Sequence, residues 1–148
     1  MQIEVKLDEH TKETKVIIVT PQMDESVSEL MKRISGERPQ VIAGFAGDTV
    51  ALLDQEEIYR VYAGAGKVYC EAQSGTWNLR MRLYEIEERL EKSRFVRISN
   101  SEIINLRRVK GFDLSLSGTI RVSLTNGAVT YVSRRYVSKI KQVLGIMR

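Results

Sequence analysis

From Gln40 to Val132 the chain is a succession of short apolar-rich runs broken at brief intervals by turn residues, a layout that favours hairpin-connected β-strands. The clearest run is Ile120-Arg121-Val122-Ser123-Leu124, where a strict period of two leads into Asn126-Gly127, a strong signal for a two-residue hairpin turn. Further runs fall at residues 41–45, 50–53, 58–62, 68–73, 76–81, 109–116 and 128–132. One helical window interrupts them at residues 82–92, with Leu83, Ile86 and Leu90 as its apolar stripe and Glu85, Glu87, Glu88 and Arg89 as its wet face. A second helix, capped by Ser133 and ended by Gly145, presents Val137, Ile140, Val143 and Leu144.

Upstream, Ile3, Val5 and Leu7 alternate with Glu4 and Lys6, and residues 15–20 follow a polar turn. This predicts a hairpin, then a helix capped by Asp24 with Val27, Leu30, Met31 and Ile34 at helical spacing. Ser35-Gly36-Glu37-Arg38-Pro39 closes this β-β-α segment, because Gly stops a helix and Pro restricts the residue before it. The expected organisation is therefore a segment over 1–38 and a β-rich domain over 40–148. The fold class is α+β, mainly β.

A length of 148 residues with 43% hydrophobic and 28% charged side chains suits one folded domain plus a short accessory segment. No apolar run reaches the roughly 18 residues of a membrane span and the first residues lack a secretory apolar stretch, so a cytoplasmic location is expected. Cys70 and His10, each the only one of its kind, cannot form a disulfide or a structural zinc set, and neither a metal nor another cofactor is expected. Residues 1–75 set eight Lys and Arg against 13 Asp and Glu, while the rest of the chain sets 15 against six. A polyanionic partner would meet the second half.

No catalytic set is legible. Gly64-Ala65-Gly66-Lys67 resembles a phosphate loop only at its end: Val61 stands where the first Gly belongs and Val68 where Ser or Thr belongs, so a hairpin tip is expected. Cys70 alternates within a strand as a buried thiol, and His10 has no carboxylate or nucleophile at motif spacing. An enzyme and a small-molecule substrate are not expected. Two basic clusters carry more: one runs from Arg94 to Ser101 and continues to Arg107-Arg108-Val109, with Arg97, Ser99, Asn100 and Ser101 gathering hydrogen-bond donors suited to phosphate oxygens, and the other is Ser133-Arg134-Arg135-Tyr136 at a helix start. Arg134, Tyr136 and Lys139, on the first turns of that helix, are candidate phosphate contacts. Aromatic pairs for stacking unpaired bases are not evident, since Tyr59, Tyr62, Tyr69 and Trp77 read mainly as core, which disfavours single-stranded RNA.

The run Phe95-Val96-Arg97-Ile98-Ser99-Asn100-Ser101-Glu102-Ile103-Ile104-Asn105-Leu106, a later hairpin with Asn126-Gly127, and Val132-Ser133-Arg134-Arg135-Tyr136 together resemble the LytTR DNA-binding domain of bacterial transcription regulators. The resemblance spans roughly residues 40–145. It implies a β-sheet sandwich with short helices that binds double-stranded DNA through loops entering successive major grooves, at direct repeats and as a homodimer. Carried onto this sequence, it places Lys67, Asn100 and Arg135 at base-reading positions and Arg97, Ser99 and Ser101 at phosphate. Ile98, Ile103, Ile104 and Leu106 read as core. Residues 1–38 are too short for the receiver domain of a response regulator, so the chain resembles the stand-alone LytTR regulators, some of which are paired with a small membrane protein that restrains them. The β-β-α segment would then serve dimerisation or docking of that inhibitor. The competing expectation is a protein-interaction module whose basic face meets an acidic protein.

Overall fold

The computed structural model describes residues 1–34 and 41–146. The chain divides into two compact units, Met1–Arg38 and Pro39–Arg148. In the first unit Asp24 caps helix α1 (Glu25–Ile34), its Oδ1 accepting from the Val27 amide at 3.0 Å and the Ser26 hydroxyl at 2.7 Å. The expected hairpin is not formed. Its turn exists, with the Thr11 amide donating to the Asp8 carbonyl at 3.1 Å, but the first strand among the described residues begins at Ile42. The physical reason is cover: a two-stranded ribbon is marginal in water without a third layer on its apolar face, and α1 buries none of its own side chains. The boundary at Ser35-Gly36-Glu37-Arg38-Pro39 lies outside the described residues.

The second unit is built on a seven-stranded antiparallel sheet comprising β1 (Ile42–Ala46), β2 (Thr49–Leu53), β3 (Ile58–Gly64), β4 (Lys67–Ala72), β5 (Gly75–Leu79), β6 (Phe95–Ser99) and β7 (Glu102–Asn105), in the order β2-β1-β5-β4-β3-β7-β6. A three-stranded sheet of β8 (Val109–Asp113), β9 (Ile120–Leu124) and β10 (Val129–Val132) has the order β10-β9-β8. Two helices complete it, α2 (Leu83–Arg89) and α3 (Val137–Val143). The fold is α+β and mainly β, as the spacing of the runs predicts, and its sheets with short helices match what the family resemblance implies.

The large sheet separates two cores. Leu83 and Ile86 of α2 pack with Ile42, Val61, Cys70 and Ile103 in one. Ile120, Val122 and Leu124 of β9 join Val96, Ile98, Ile104 and Ile140 in the other. Within β6 and β7, Phe95 and Ile103 enter the first core while their neighbours Val96 and Ile104 enter the second. Burial on both faces erases the period of two, which is why these two strands escape a reading by alternation. Buried Asn105 secures the end of β7, its Nδ2 donating to the Ile58 carbonyl at 2.8 Å and its Oδ1 accepting from the Arg107 amide at 3.0 Å.

Candidate nucleic-acid interface

Three of the sequence-predicted segments meet at one end of the large sheet. The β3–β4 turn is the first: Ala65 and Gly66 both have positive φ, 51° and 76°, the signature of a type I′ hairpin turn, and Lys67 pairs with Gly64 at its base. Lys67 is exposed. The turn between β6 and β7 is the second, carrying exposed Asn100 and Ser101. It lies beside the end of β3, because the Ala63 amide donates to the Ser101 carbonyl at 2.8 Å. The third follows β10, where the Ser133 amide donates to the Ile98 carbonyl at 2.9 Å and so ties the Arg134-Arg135-Tyr136 segment to the end of β6.

That third segment departs from expectation. Arg134–Tyr136 forms a 3-10 turn, α3 starts only at Val137, and the Ser133 side chain makes no capping hydrogen bond. The turn's own bond, Tyr136 amide to Ser133 carbonyl at 2.8 Å, uses an amide that a helix start would have left free for an anion. What the turn achieves is placement. Exposed Arg134 lies against the β8–β9 connection, where a Cβ added at Gly118 would stand 3.6 Å from its Nε, and Arg135 is exposed beside it. The Tyr136 hydroxyl donates to Asn100 Oδ1 at 3.3 Å, joining the two motifs directly.

Arg97 and Ser99, expected at phosphate, make hydrogen bonds within the protein. The Arg97 Nε donates to the Ser99 carbonyl at 2.7 Å, its Nη2 to the Asn100 carbonyl at 2.5 Å, and its Nη1 to Glu87 of α2 at 3.2 Å. With three donors engaged inside the protein and little surface exposed, this guanidinium braces the loop. Ser99 Oγ accepts from the Ser101 amide at 3.2 Å and lies 3.3 Å from Ser101 Oγ, so it shapes the turn from within. Lys139 is exposed on α3 and lines a separate groove of about 300 Å³ with Glu87, Lys92 and Arg97.

Against known proteins, the model of the family described as "LytTr DNA-binding domain" matches residues 48–145. The chain belongs to the LytTR family. An uncharacterized HTH-type transcriptional regulator of Staphylococcus aureus strain NCTC 8325 is 26% identical over 147 residues, covering 99% of both chains. Its counterpart in strain MRSA252 is 25% identical with the same coverage. Among solved structures, the LytTr DNA-binding domain of a methyl-accepting/DNA response regulator from Bacillus cereus superposes with a TM-score of 0.68 at 27% identity, over 71% of this chain and 96% of that one. The "HTH" in the relatives' names has no counterpart in this LytTR fold: among the described residues, long strand-rich segments separate each helix from the next.

The LytTR rim also holds two cations that the sequence reading passed over. Arg80 and Arg82 are exposed and line an open groove of about 500 Å³ with Lys67, Asn78 and Glu85. Arg80 is fixed by stacking over Phe45, its guanidinium carbon 4.1 Å from the ring centroid. The signal was there, in two Arg flanking Met81, but they stand at a strand end and a helix start, apart in sequence from both basic clusters. Register settles it, because Val68 pairs with Leu79 and so places residue 80 next to Lys67.

Away from this rim the LytTR sandwich carries a charged cluster. Arg60 holds Glu71 at 2.6 Å and Glu102 at 3.5 Å, and Glu102 accepts from the Thr130 hydroxyl at 2.8 Å, linking the two sheets. Burial pushes the Glu102 carboxyl above the ordinary carboxylate range, against the opposing pull of the Thr130 hydrogen bond and Arg60. Cys70 is fully buried, and desolvation pushes its thiol up to about 12, which removes it as a nucleophile at neutral pH. Tyr59, Tyr62, Tyr69 and Trp77 are half-buried: Trp77 packs against the first core and Tyr59 against the second, while Tyr62 and Tyr69 belong to neither. Tyr62 and Tyr69 face each other across β3 and β4 with ring centroids 5.5 Å apart, and Arg60 covers Tyr62. Among the described residues no cluster of three or more His, Cys, Asp or Glu could hold a metal, and no helix is long and apolar enough to cross a membrane.

Proposed function

We propose that this LytTR chain is a sequence-specific transcription regulator, acting on cytoplasmic double-stranded DNA as a homodimer at direct repeats. The reading is carried by one observation: the β3–β4 turn, the β6–β7 turn and the 3-10 turn after β10 bring Lys67, Asn100 and Arg135 to one end of the large sheet. Loops projecting from a rigid sheet end can enter a major groove, where Arg pairs bidentately with guanine and Asn with adenine. Because Asn100 Oδ1 already accepts from Tyr136, its Nδ2 is left to donate to an acceptor on a base edge. Ser101, Arg134 and Lys139 contact phosphate, joined by Arg80 and Arg82, while Arg97 and Ser99 hold the loop in shape and Tyr136, expected at phosphate, donates its hydroxyl proton to Asn100 instead. The Staphylococcus aureus relatives, matched over 99% of their length and named as transcriptional regulators, support the same role.

The test is selection from a randomised double-stranded DNA pool at about 0.15 M salt, followed by the enriched sites against Arg135→Ala. A spaced direct repeat that the variant no longer prefers is the expected result. No enrichment over random sequence would reduce the basic rim to an electrostatic surface, and an acidic protein partner would become the better reading.

A further inference from the structure

We infer that residues 3–7 form an antiparallel strand pair with the same residues of a second copy, on a twofold axis at Val5. This rests on the homodimer reading above and names the surface that makes the dimer. Ile3, Val5 and Leu7 are 85%, 79% and 91% exposed, and among the described residues no strand pairs with this run. An unpaired segment that alternates exposed apolar and charged residues in this way is a template for another strand.

The sequence of the run selects a second copy as that chain. Read antiparallel against itself about Val5, Ile3-Glu4-Val5-Lys6-Leu7 sets Ile3 opposite Leu7, Val5 opposite Val5 and Glu4 opposite Lys6, so each apolar residue meets an apolar one and each charge its opposite, twice over. A one-residue slip would put apolar side chains against charges and turn one set to the wrong face. Contact of a patch with its own copy about a twofold axis is the isologous arrangement of most dimers. The Asp8–Thr11 turn ends the strand directly after Leu7.

Such a ribbon needs cover, and the same unit supplies it. Val16, Ile18, Met23, Val27, Met31 and Ile34 line an open apolar groove of about 480 Å³. Seating the ribbon's apolar face, three aliphatic side chains from each copy, on the grooves of both copies gives it the third layer that a lone hairpin lacks.

The experiment uses full-length chains carrying single cysteines, oxidised and weighed. Val5→Cys should form a covalent dimer with itself, Ile3→Cys alone should not, and Ile3→Cys mixed with Leu7→Cys should. Cys70 is buried and does not interfere. In parallel, sedimentation should show roughly tenfold weaker dimerisation for Glu4→Lys and for Lys6→Glu, each of which sets like charges opposite one another, with the dimer restored when the two variants are mixed. A native dimer whose Val5→Cys form does not crosslink overturns this register while leaving the dimer itself standing. A protein that is monomeric at every concentration and on DNA overturns both. Dimerisation seen only with an added acidic or membrane protein assigns the face to that partner and likewise overturns the inference.

Discussion

The Tyr136 hydroxyl donates to Asn100 Oδ1 at 3.3 Å, across 36 positions of sequence. This bond, with the Ser133 amide on the Ile98 carbonyl, makes one surface of two motifs that are far apart in the chain. It also orients the Asn100 amide, so the groups offered outward are donors.

Tyr136→Phe removes only that hydroxyl. Discrimination between the selected site and random DNA should fall by about 0.5–1.5 kcal/mol, the net value of one hydrogen bond, with little change in melting temperature because the contact is exposed. Competition binding and a thermal melt measure the two. An unchanged preference would remove the tether from the recognition scheme.

Arg135→Ala should cost roughly 1–3 kcal/mol on the selected site and flatten preference at one base position, whereas Lys139→Ala should weaken all sequences alike. The log-log salt slope of the native chain should be on the order of −5 per subunit if about six cations neutralise phosphates. Equal losses on specific and random DNA from Arg135→Ala would sink its assigned role.

For Arg97 the salt slope separates bracing from phosphate contact. Arg97→Ala frees the Ser99 and Asn100 carbonyls and Glu87, so affinity and loop order should both drop while the slope stays the same. A slope smaller by about one would instead make it a direct phosphate contact.

Glu102 gives a signed pH prediction. Its folded carboxyl titrates above its unfolded value, so the native state binds the proton more tightly. The stabilising contribution of the protonated form is complete below the ordinary carboxylate range and is lost as pH rises through the raised value. Glu102→Gln, which keeps an acceptor for Thr130, should remove this part of the curve when melting temperature is followed against pH. Parallel curves for the two proteins would contradict the assignment.

Gly44→Ala tests the sheet beneath the rim. An added Cβ would lie 2.8 Å from Trp77 Cβ and 2.9 Å from Leu53 Cδ1, so β1 cannot keep its place against β5. A loss of about 1–3 kcal/mol is expected in denaturant unfolding. Wild-type stability would show that Trp77 yields at no cost.

The sequence by itself determined the strands of period two, among them β9, and the Asp24-capped helix, because alternation and capping act within a few residues. The hairpin marked by Asn126-Gly127 also forms, though through a three-residue loop, Thr125 to Gly127, with the Leu124 amide donating to the Ala128 carbonyl and only Gly127 at positive φ, instead of the two-residue turn expected. It also carried the basic motifs that mark the family. It could not reveal β6 and β7, whose burial on both faces hides their periodicity, nor the 3-10 turn at Arg134–Tyr136, which is held in place by a bond to β6. The open hairpin of residues 1–20 had a sound local pattern and lacked a covering layer, which no local signal reports. Only the tertiary structure decided that Arg97 bonds to the Ser99 and Asn100 carbonyls, that Asn100 Oδ1 takes the Tyr136 hydroxyl, and that Arg80 joins Lys67. Those roles depend on strand register and on partners dozens of residues away, and a side chain's free donors are known only once its neighbours have taken theirs.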